Sequence, residues 1–275
     1  MNKKYIMEDA NMKGIIGAIC GDIIGSSYEF HPVKTKDFDL FPSNSRFTDD
    51  TVMTLAVANW LLLDLNLTKN VLISQMQILG SEYPRAGYGG RFSTWLTDEK
   101  PEAYNSWGNG SAMRVSPVAW YASTLDDCIQ LAKLSAEVTH NHPEGIKGAV
   151  STASAIFMAR NDYSKDEIKD YIENNYGYDL STALEDIRPN YSFEVSCQKS
   201  VPQALRCFLE ADSYEDTIRN AVSLGGDADT QAAIAGSVAA AYYSVPSTIC
   251  QFCISKLDPR LHQIFREFNE KTLGD

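Results

Sequence analysis

Long apolar runs are absent from this sequence of 275 residues. No stretch approaches the ~18 uninterrupted apolar residues that a membrane-spanning helix needs, so we expect no membrane-embedded segment. Near the start of the chain, Glu8 and Asp9 interrupt the apolar core that a secretory signal would have. The sequence therefore predicts a cytoplasmic protein with no secretory signal.

Positive charge is also scarce. The chain has 24 Lys and Arg residues against 36 Asp and Glu residues, a formal net charge of −12, and it has no run of five or more basic residues. Such a surface repels phosphates at long range, which argues against general binding to nucleic acid or to anionic membranes.

Cysteines are few and far apart. The six cysteines lie at positions 20, 128, 197, 207, 250 and 253, a spacing too scattered for a disulfide framework in a chain of this length. The only C-x-x-C pair, Cys250 and Cys253, has no second pair and no neighbouring histidine. We interpret these two cysteines as core residues.

Alternating apolar patterns typical of strands are missing, whereas helical spacing recurs along the chain. The breaks between periodic segments are short and rich in Gly and Pro, as in loops on one helical scaffold. The sequence thus predicts an all-α fold and a single domain over residues 1–275, with the irregular stretch 176–205 packed over the surface. The predicted helices are Val52–Leu63, Cys128–Val138, Gly145–Ala159, Thr217–Leu224, Thr230–Tyr243 and Ser247–Leu257.

Two acidic clusters each precede a predicted helix. The first is Thr48-Asp49-Asp50-Thr51 and the second is Asp227-Ala228-Asp229-Thr230. These carboxylates are either doubled helix caps or ligands for a hard divalent cation, Mg²⁺ or Mn²⁺, which prefers oxygen donors. Four carboxylates with neighbouring hydroxyls are enough for two ions. The spacing alone favours neither interpretation over the other.

A third cluster lies in residues 17–30, "GAICGDIIGSSYEF". Its glycines Gly17, Gly21 and Gly25 are four apart and predict a smooth helix face for close packing. Asp22 and Glu29 are seven apart, which predicts that they share a helix face. Asp22 is expected to cap or brace a neighbouring loop, whereas Glu29 is a candidate acid, base or further ligand.

Five blocks together resemble the ADP-ribosylglycohydrolase family, in the family's order and over residues 14–243. They are "GAICGDIIGSSYE", "FTDDTVMTLAVA", "YNSWGNGSAMRVSP", "THNHPEGIKGA" and residues 223–243. The resemblance implies a compact orthogonal bundle of helices with two Mg²⁺ ions (Mn²⁺ is possible) at one end.

The resemblance also implies residue roles. The implied metal ligands are Thr48, Asp49, Asp50, Asp227, Asp229 and Thr230, with Asp22 in a supporting position. The implied catalytic residues are Glu29, Asp49 and Asp229. The implied substrate-binding residues are Gly87, Tyr88, Gly89, Ser106, Trp107, Gly108, Asn109, Gly110, Ser111 and His140.

The activity implied by the resemblance is metal-dependent hydrolysis of the bond between ADP-ribose and an acceptor, which reverses ADP-ribosylation. Its partner is ADP-ribose or an ADP-ribosylated protein, and a monomer is expected. Arginine, serine, nucleobase and O-acetyl-ADP-ribose acceptors all stay open. Two alternatives are a non-catalytic protein that binds ADP-ribose and a two-metal phosphohydrolase that cleaves the pyrophosphate.

Overall fold

Helices make up the regular structure of the chain. The computed structural model describes residues 12–274, and these residues form fifteen helices and two isolated bridges but no strand. The predicted all-α fold is confirmed. The first eleven residues, which bear on the predicted lack of a secretory signal, lie outside the described residues. The helices are α1 (Ile16–Gly25), α2 (Asp49–Leu63), α3 (Lys69–Glu82), α4 (Gly90–Leu96), α5 (Gly110–Met113), α6 (Ser116–Tyr121), α7 (Leu125–Glu137), α8 (Pro143–Arg160), α9 (Lys165–Tyr176), α10 (Leu184–Ile187), α11 (Cys197–Leu209), α12 (Tyr214–Ser223), α13 (Ala228–Tyr242), α14 (Ser247–Ile254) and α15 (Pro259–Leu273).

The helices predicted from apolar spacing are all present, with ends shifted by a few residues. Thr124, Ser164 and Ser213 each accept a hydrogen bond from the backbone N–H three residues later, so they start α7, α9 and α12 as capping residues. Within residues 12–274, no helix is both long and apolar enough to cross a membrane.

The stretch 176–205 differs from its predicted irregular, superficial course. It contains α10 and the first part of α11, which packs against α8 and α13. Val201, Leu205 and Phe208 of α11 are buried and lie on one helical face. The interior Pro202 and several polar residues between these positions hide the helical pattern in the sequence.

α1 and α13 lie side by side in antiparallel directions, with glycines at their contact. A Cβ at Gly17 would lie 2.4 Å from the Gly236 carbonyl oxygen, and one at Gly21 would lie 2.1 Å from the Ala232 carbonyl oxygen. At Gly25 the backbone of Ala228 would be met at 2.5 Å. The predicted glycine face is therefore the surface that lets the two helix backbones touch, and it brings the end of α1 to the start of α13.

One continuous hydrophobic cluster receives side chains from every described helix. α13 lies near its middle, since it contacts α1, α8, α11 and α12, and most of its residues are buried. A single cluster of this kind is consistent with one domain. The assignment of all 275 residues to one domain stays a prediction.

The glycine contact can be tested by Gly21→Ala. The added methyl group has no room against the α13 backbone, so we expect a loss of about 1–3 kcal/mol in the free energy of unfolding. Gly90→Ala is the control, because a Cβ at Gly90 meets nothing within 4 Å. Urea denaturation measures both variants. Equal midpoints for the two would contradict the close α1–α13 contact.

Candidate functional site

A cleft of about 530 Å³ opens where α1, α2 and α13 meet. One end of the cleft is acidic and is lined by Glu29, Asp49, Asp50, Asp227 and Asp229. The other end is lined mainly by neutral polar groups and by aromatic and aliphatic side chains from the segments around residues 104–114, 140 and 193–195. A volume of this size suits a small-molecule ligand.

The acidic residues do not cap the helices that they precede. Thr48 is the N-cap of α2, and its side chain accepts a hydrogen bond from the Asp50 N–H. At α13, Asp227 occupies the N-cap position but its carboxylate makes no capping bond. That carboxylate accepts a hydrogen bond from Asn109 Nδ2 at 2.7 Å. The geometry therefore argues against doubled helix caps, and the carboxylates of the two clusters are free to hold a cation.

The carboxylates form two adjoining groups that share Asp229. Oxygens of Asp22, Asp50 and Asp229 lie within 4.8 Å of one another, and so do oxygens of Glu29, Asp227 and Asp229. Asp49 belongs to neither group but lines the same end of the cleft. A shared carboxylate between two oxygen clusters is an arrangement that suits two neighbouring hard cations.

Asp22 is fully buried and has both carboxylate oxygens occupied by donors from α2 and its cap. Thr48 donates its backbone N–H at 2.9 Å and its hydroxyl at 2.6 Å, and Thr51 donates its N–H at 3.1 Å and its hydroxyl. Asp22 therefore fixes the start of α2 against α1. Because the Thr48 hydroxyl gives its hydrogen to Asp22 and accepts the Asp50 N–H, one lone pair of its oxygen is left for another partner.

Burial and mutual repulsion govern the charges at this end of the cleft. Burial, followed by the charge of Asp229, raises the pKa of Asp49 to about 8 and that of Glu29 to about 7. Burial also raises the pKa of Asp227 to about 6, and the pKa values of Asp50 and Asp229 rise well above the ordinary range for the same reason. Arg46 offsets only part of this rise at Glu29, so the acidic end is short of positive charge.

The donor set fits divalent cations. Asp50 Oδ1 is buried and has no hydrogen-bond partner among the described residues, whereas Asp50 Oδ2 accepts from Thr230 Oγ1 at 3.2 Å. A buried carboxylate oxygen without a donor is costly unless a cation or a proton compensates it. An all-oxygen set with such an orphaned atom suits Mg²⁺ or Mn²⁺.

Glu29 lies at the acidic end, but it is not on a helix, contrary to the prediction from the sequence. α1 ends at Gly25, so Glu29 does not share a helix face with Asp22. A turn closed by the hydrogen bond from the Tyr28 N–H to the Gly25 carbonyl, at 2.8 Å, carries the chain to Glu29, which is half-buried beside Asp229. Helical spacing fails here because the helix stops at the close contact with α13.

The segment 106–111 uses most of its predicted donors inside the protein. Asn109 donates its side-chain amide to Asp227 and to Ser200 and its backbone N–H to the Val195 carbonyl. The Gly108 N–H donates to Ser106 Oγ at 3.2 Å, and Ser111 Oγ donates to the Gly145 carbonyl at 2.7 Å. Asn109 therefore positions Asp227, in addition to the substrate contact predicted for it.

His140 is held as a neutral side chain at the polar end of the cleft. Burial, and then the nearby Arg114, hold its pKa well below the usual range. Arg114 Nη2 donates to Thr139 Oγ1 at 2.8 Å, and Thr139 Oγ1 lies 2.7 Å from His140 Nδ1. The Thr139 hydroxyl has one hydrogen and is buried, so we assign its bond as a donation to Nδ1. His140 then carries its proton on Nε2, close to Gly108 and Gly110.

The structure brings most of the predicted site residues to the cleft. Three of them, Tyr88, Trp107 and Ser111, do not line it, and Trp107 is about half exposed with its ring edge against His142. Their substrate contacts stay predictions. The glycines Gly87 and Gly89 line the cleft, Gly87 next to Asp49.

Sequence reasoning missed other lining residues. Arg114 lies inside a recognised motif, but the sequence does not show what its side chain contacts. In the structure Arg114 is buried and donates to Thr139, which in turn contacts His140. Phe193 and Val195 lie at the mouth of the cleft, each about half exposed, in the stretch whose pattern is irregular. No local signal in the sequence marks these two residues, because their place depends on the packing of α11.

Comparison with known proteins gives a consistent result. A family model described as ADP-ribosylglycohydrolase matches residues 5–271. The chain is 26% identical to ADP-ribosylhydrolase ARH3 of Mus musculus, over 92% of this chain and 91% of that protein. It is 24% identical to the ADP-ribosyl-[dinitrogen reductase] glycohydrolase of Rhodospirillum rubrum, over 94% of each chain.

A solved structure shares the fold. It is described as an ADP-ribosylglycohydrolase-related protein complex and matches with a TM-score of 0.72 and 23% sequence identity, over 94% of this chain and 96% of that chain. This likeness supports the helical fold.

The tautomer of His140 can be tested with Thr139→Val, which removes the hydroxyl but keeps the shape. We expect nitrogen NMR of the imidazole to show Nε2–H in the parent protein and a mixture of tautomers in the variant, because the donor to Nδ1 is no longer held in place. Thr139→Ser keeps the hydroxyl and should retain the Nε2–H tautomer. A parent protein with its proton on Nδ1 would contradict the assignment.

Proposed function

Because the chain belongs to the ADP-ribosylglycohydrolase family, we propose that it hydrolyses the glycosidic bond between ADP-ribose and an acceptor, in a reaction that depends on two divalent cations. The acceptor is a protein side chain such as arginine or serine, or a small ADP-ribosyl compound. The observation that carries this proposal is the pair of carboxylate groups sharing Asp229 at one end of a cleft of suitable size.

The two ends of the cleft suit the two ends of ADP-ribose. Cations held by the carboxylates of the acidic end would coordinate the hydroxyls of the distal ribose. The polar end offers the Nε2–H of His140 and glycines at 108 and 110, where the backbone can approach a pyrophosphate closely. A chain with net charge −12 can bind a diphosphate in this way, through neutral donors rather than an excess of basic residues.

The cations that we propose are two Mg²⁺ ions, with Mn²⁺ as a possible substitute. The residues that would hold them are Thr48, Asp49, Asp50, Asp227, Asp229 and Thr230. When bound, the cations supply Lewis acidity to the hydroxyls of the distal ribose and to the attacking water. The unpartnered oxygen of Asp50 and the shortage of positive charge support this assignment.

The chain's own residues orient and polarise the reacting groups. Cleavage at the distal ribose passes through an oxocarbenium-like state, so nearby carboxylates stabilise the charge that develops on the ring. Asp49 and Asp229 lie at the acidic end for this role, and Glu29 stands on a loop at the same end. We assign to Glu29 the transfer of a proton to or from the bond being broken.

The cation requirement can be tested with Asp50→Asn and Asp229→Asn. Each variant should lower kcat/KM by at least about 100-fold with Mg²⁺ present, because it removes a ligand while leaving the helical fold intact by circular dichroism. A chelator should abolish the activity of the parent protein. Asp126→Asn is the control, since Asp126 is exposed on α7 and has no predicted role.

The products decide between the alternatives. Release of ADP-ribose from a panel of arginine, serine, nucleobase and O-acetyl substrates supports the proposal and identifies the acceptor. Formation of AMP would make the protein a phosphohydrolase, and binding of ADP-ribose without turnover on any substrate would make it a non-catalytic relative. Full activity in the presence of chelator would contradict the cation requirement.

The role of Glu29 can be tested with Glu29→Gln. If Glu29 acts on the bond being broken, kcat should fall by about 10²–10⁴-fold while ADP-ribose affinity changes little. Glu99→Gln, at an exposed position, is the control. Calorimetry of Mg²⁺ and ADP-ribose binding should accompany single-turnover rates. Loss of Mg²⁺ affinity with an unchanged rate at saturating Mg²⁺ would make Glu29 a ligand only.

A further inference from the structure

Two of the ten arginines differ from the other eight in the bonding of their guanidinium groups. In residues 12–274, eight arginines donate a hydrogen bond or form an ion pair through their guanidinium groups. For Arg46 and Arg85, no such bond is found within the same range, and both side chains are exposed. The charge of Arg46 is partly balanced, because it lowers the pKa of Glu29, whereas Arg85 has no acidic partner within bonding distance among residues 12–274.

Both arginines line one groove, which we name the acceptor groove. It has a volume of about 260 Å³ and is formed by residues 46–47 and 82–86. Glu82 is the one acidic residue in it, and its carboxylate lies 3.6 Å from Arg260 Nε, so its charge is already balanced. The groove therefore offers positive charge to a partner.

The walls of the acceptor groove are held in place by the fold. The rings of Phe47 and Tyr83 meet edge to face at 5.7 Å, and Tyr83 Oη donates to Asp258 at 2.9 Å. The Arg46 N–H donates to Ser26 Oγ at 3.1 Å. A groove with aromatic walls held by these contacts and two exposed cationic side chains suits a polypeptide segment that carries carboxylates.

The acceptor groove joins the cleft at its acidic end. Arg46 and Ala86 line both, and the Ala86 carbonyl accepts the N–H of Asp49 at 3.0 Å. The groove has no lining residue in common with the polar end around His140. Under the proposed function, the distal ribose lies at the acidic end, so whatever is attached to that ribose extends toward this groove.

We propose that the acceptor groove binds the polypeptide on the acceptor side of the scissile bond, and that it selects substrates with Asp or Glu next to the ADP-ribosylated residue. This inference rests on the proposed function. Arg46 stands at the junction with the cleft and Arg85 lies in the groove alone, so Arg85 is the residue that contributes to selection without lining the cleft.

The test compares synthetic peptides ADP-ribosylated at one serine or one arginine, with Glu, Gln or Lys at the neighbouring positions. The parent protein should prefer Glu over Gln about 3–10-fold in kcat/KM and in peptide affinity, with Lys the poorest. The preference should weaken as salt rises, because exposed charges are screened.

Arg85→Gln should remove the preference for Glu while leaving kcat on a small ADP-ribosyl compound without a polypeptide unchanged. Arg266→Gln, an exposed arginine of α15, is the matched control and should keep the preference. A preference that survives Arg85→Gln, or Lys peptides as good as Glu peptides, would overturn the inference.

Fluorescence anisotropy of the same peptides measures binding without hydrolysis. If none of the peptides or small compounds is hydrolysed but the Arg85-dependent preference for Glu remains in binding, the proposed function fails and the groove assignment stands. If all peptides are hydrolysed and bound equally, the proposed function stands and the groove assignment fails.

Discussion

The antiparallel contact between α1 and α13 is the constraint on which the candidate site depends. Gly17, Gly21 and Gly25 let the two backbones touch, so the end of α1 lies against the first turn of α13. Asp22 then reaches across to the start of α2 and holds it by four hydrogen bonds. Acidic residues about 180 positions apart in the sequence are in this way brought into two groups that share Asp229.

Such a gathering of buried carboxylates is unfavourable in itself, and the fold offsets it with neutral donors. Hydroxyls of Thr48, Thr51 and Thr230 and the amide of Asn109 bond to carboxylates at this end of the cleft. α2 and α13 also point their partly positive N-termini toward it. Burial and the remaining repulsion raise the pKa values of these groups, and under the proposed function divalent cations would compensate the repulsion.

Apart from Arg46, which lines the acidic end and lowers the pKa of Glu29, the arginines that line the cleft lie away from these carboxylates. Arg114 is buried and donates to Thr139, whose hydroxyl contacts Nδ1 of His140. Arg114 thereby helps to keep the His140 proton on Nε2, which is the donor at the polar end of the cleft. Arg46 and Arg85 lie at the opposite, acidic end, on the groove that leads away from it. Under the proposed function, the acidic end holds the distal ribose, the polar end holds the diphosphate and the acceptor groove binds the acceptor.

The sequence by itself determined the helical class, six of the fifteen described helices and the two acidic clusters, because capping and apolar spacing are local properties. It also placed the glycine face of α1. Only the tertiary structure decided which residues from other parts of the chain lie next to the two acidic clusters and which helices are buried. Glu29 enters the site from a turn and not from a helix, α11 is buried despite Pro202, and Asn109 holds Asp227. Each of these depends on contacts between residues far apart in the chain, and such contacts leave no periodic pattern in a single sequence.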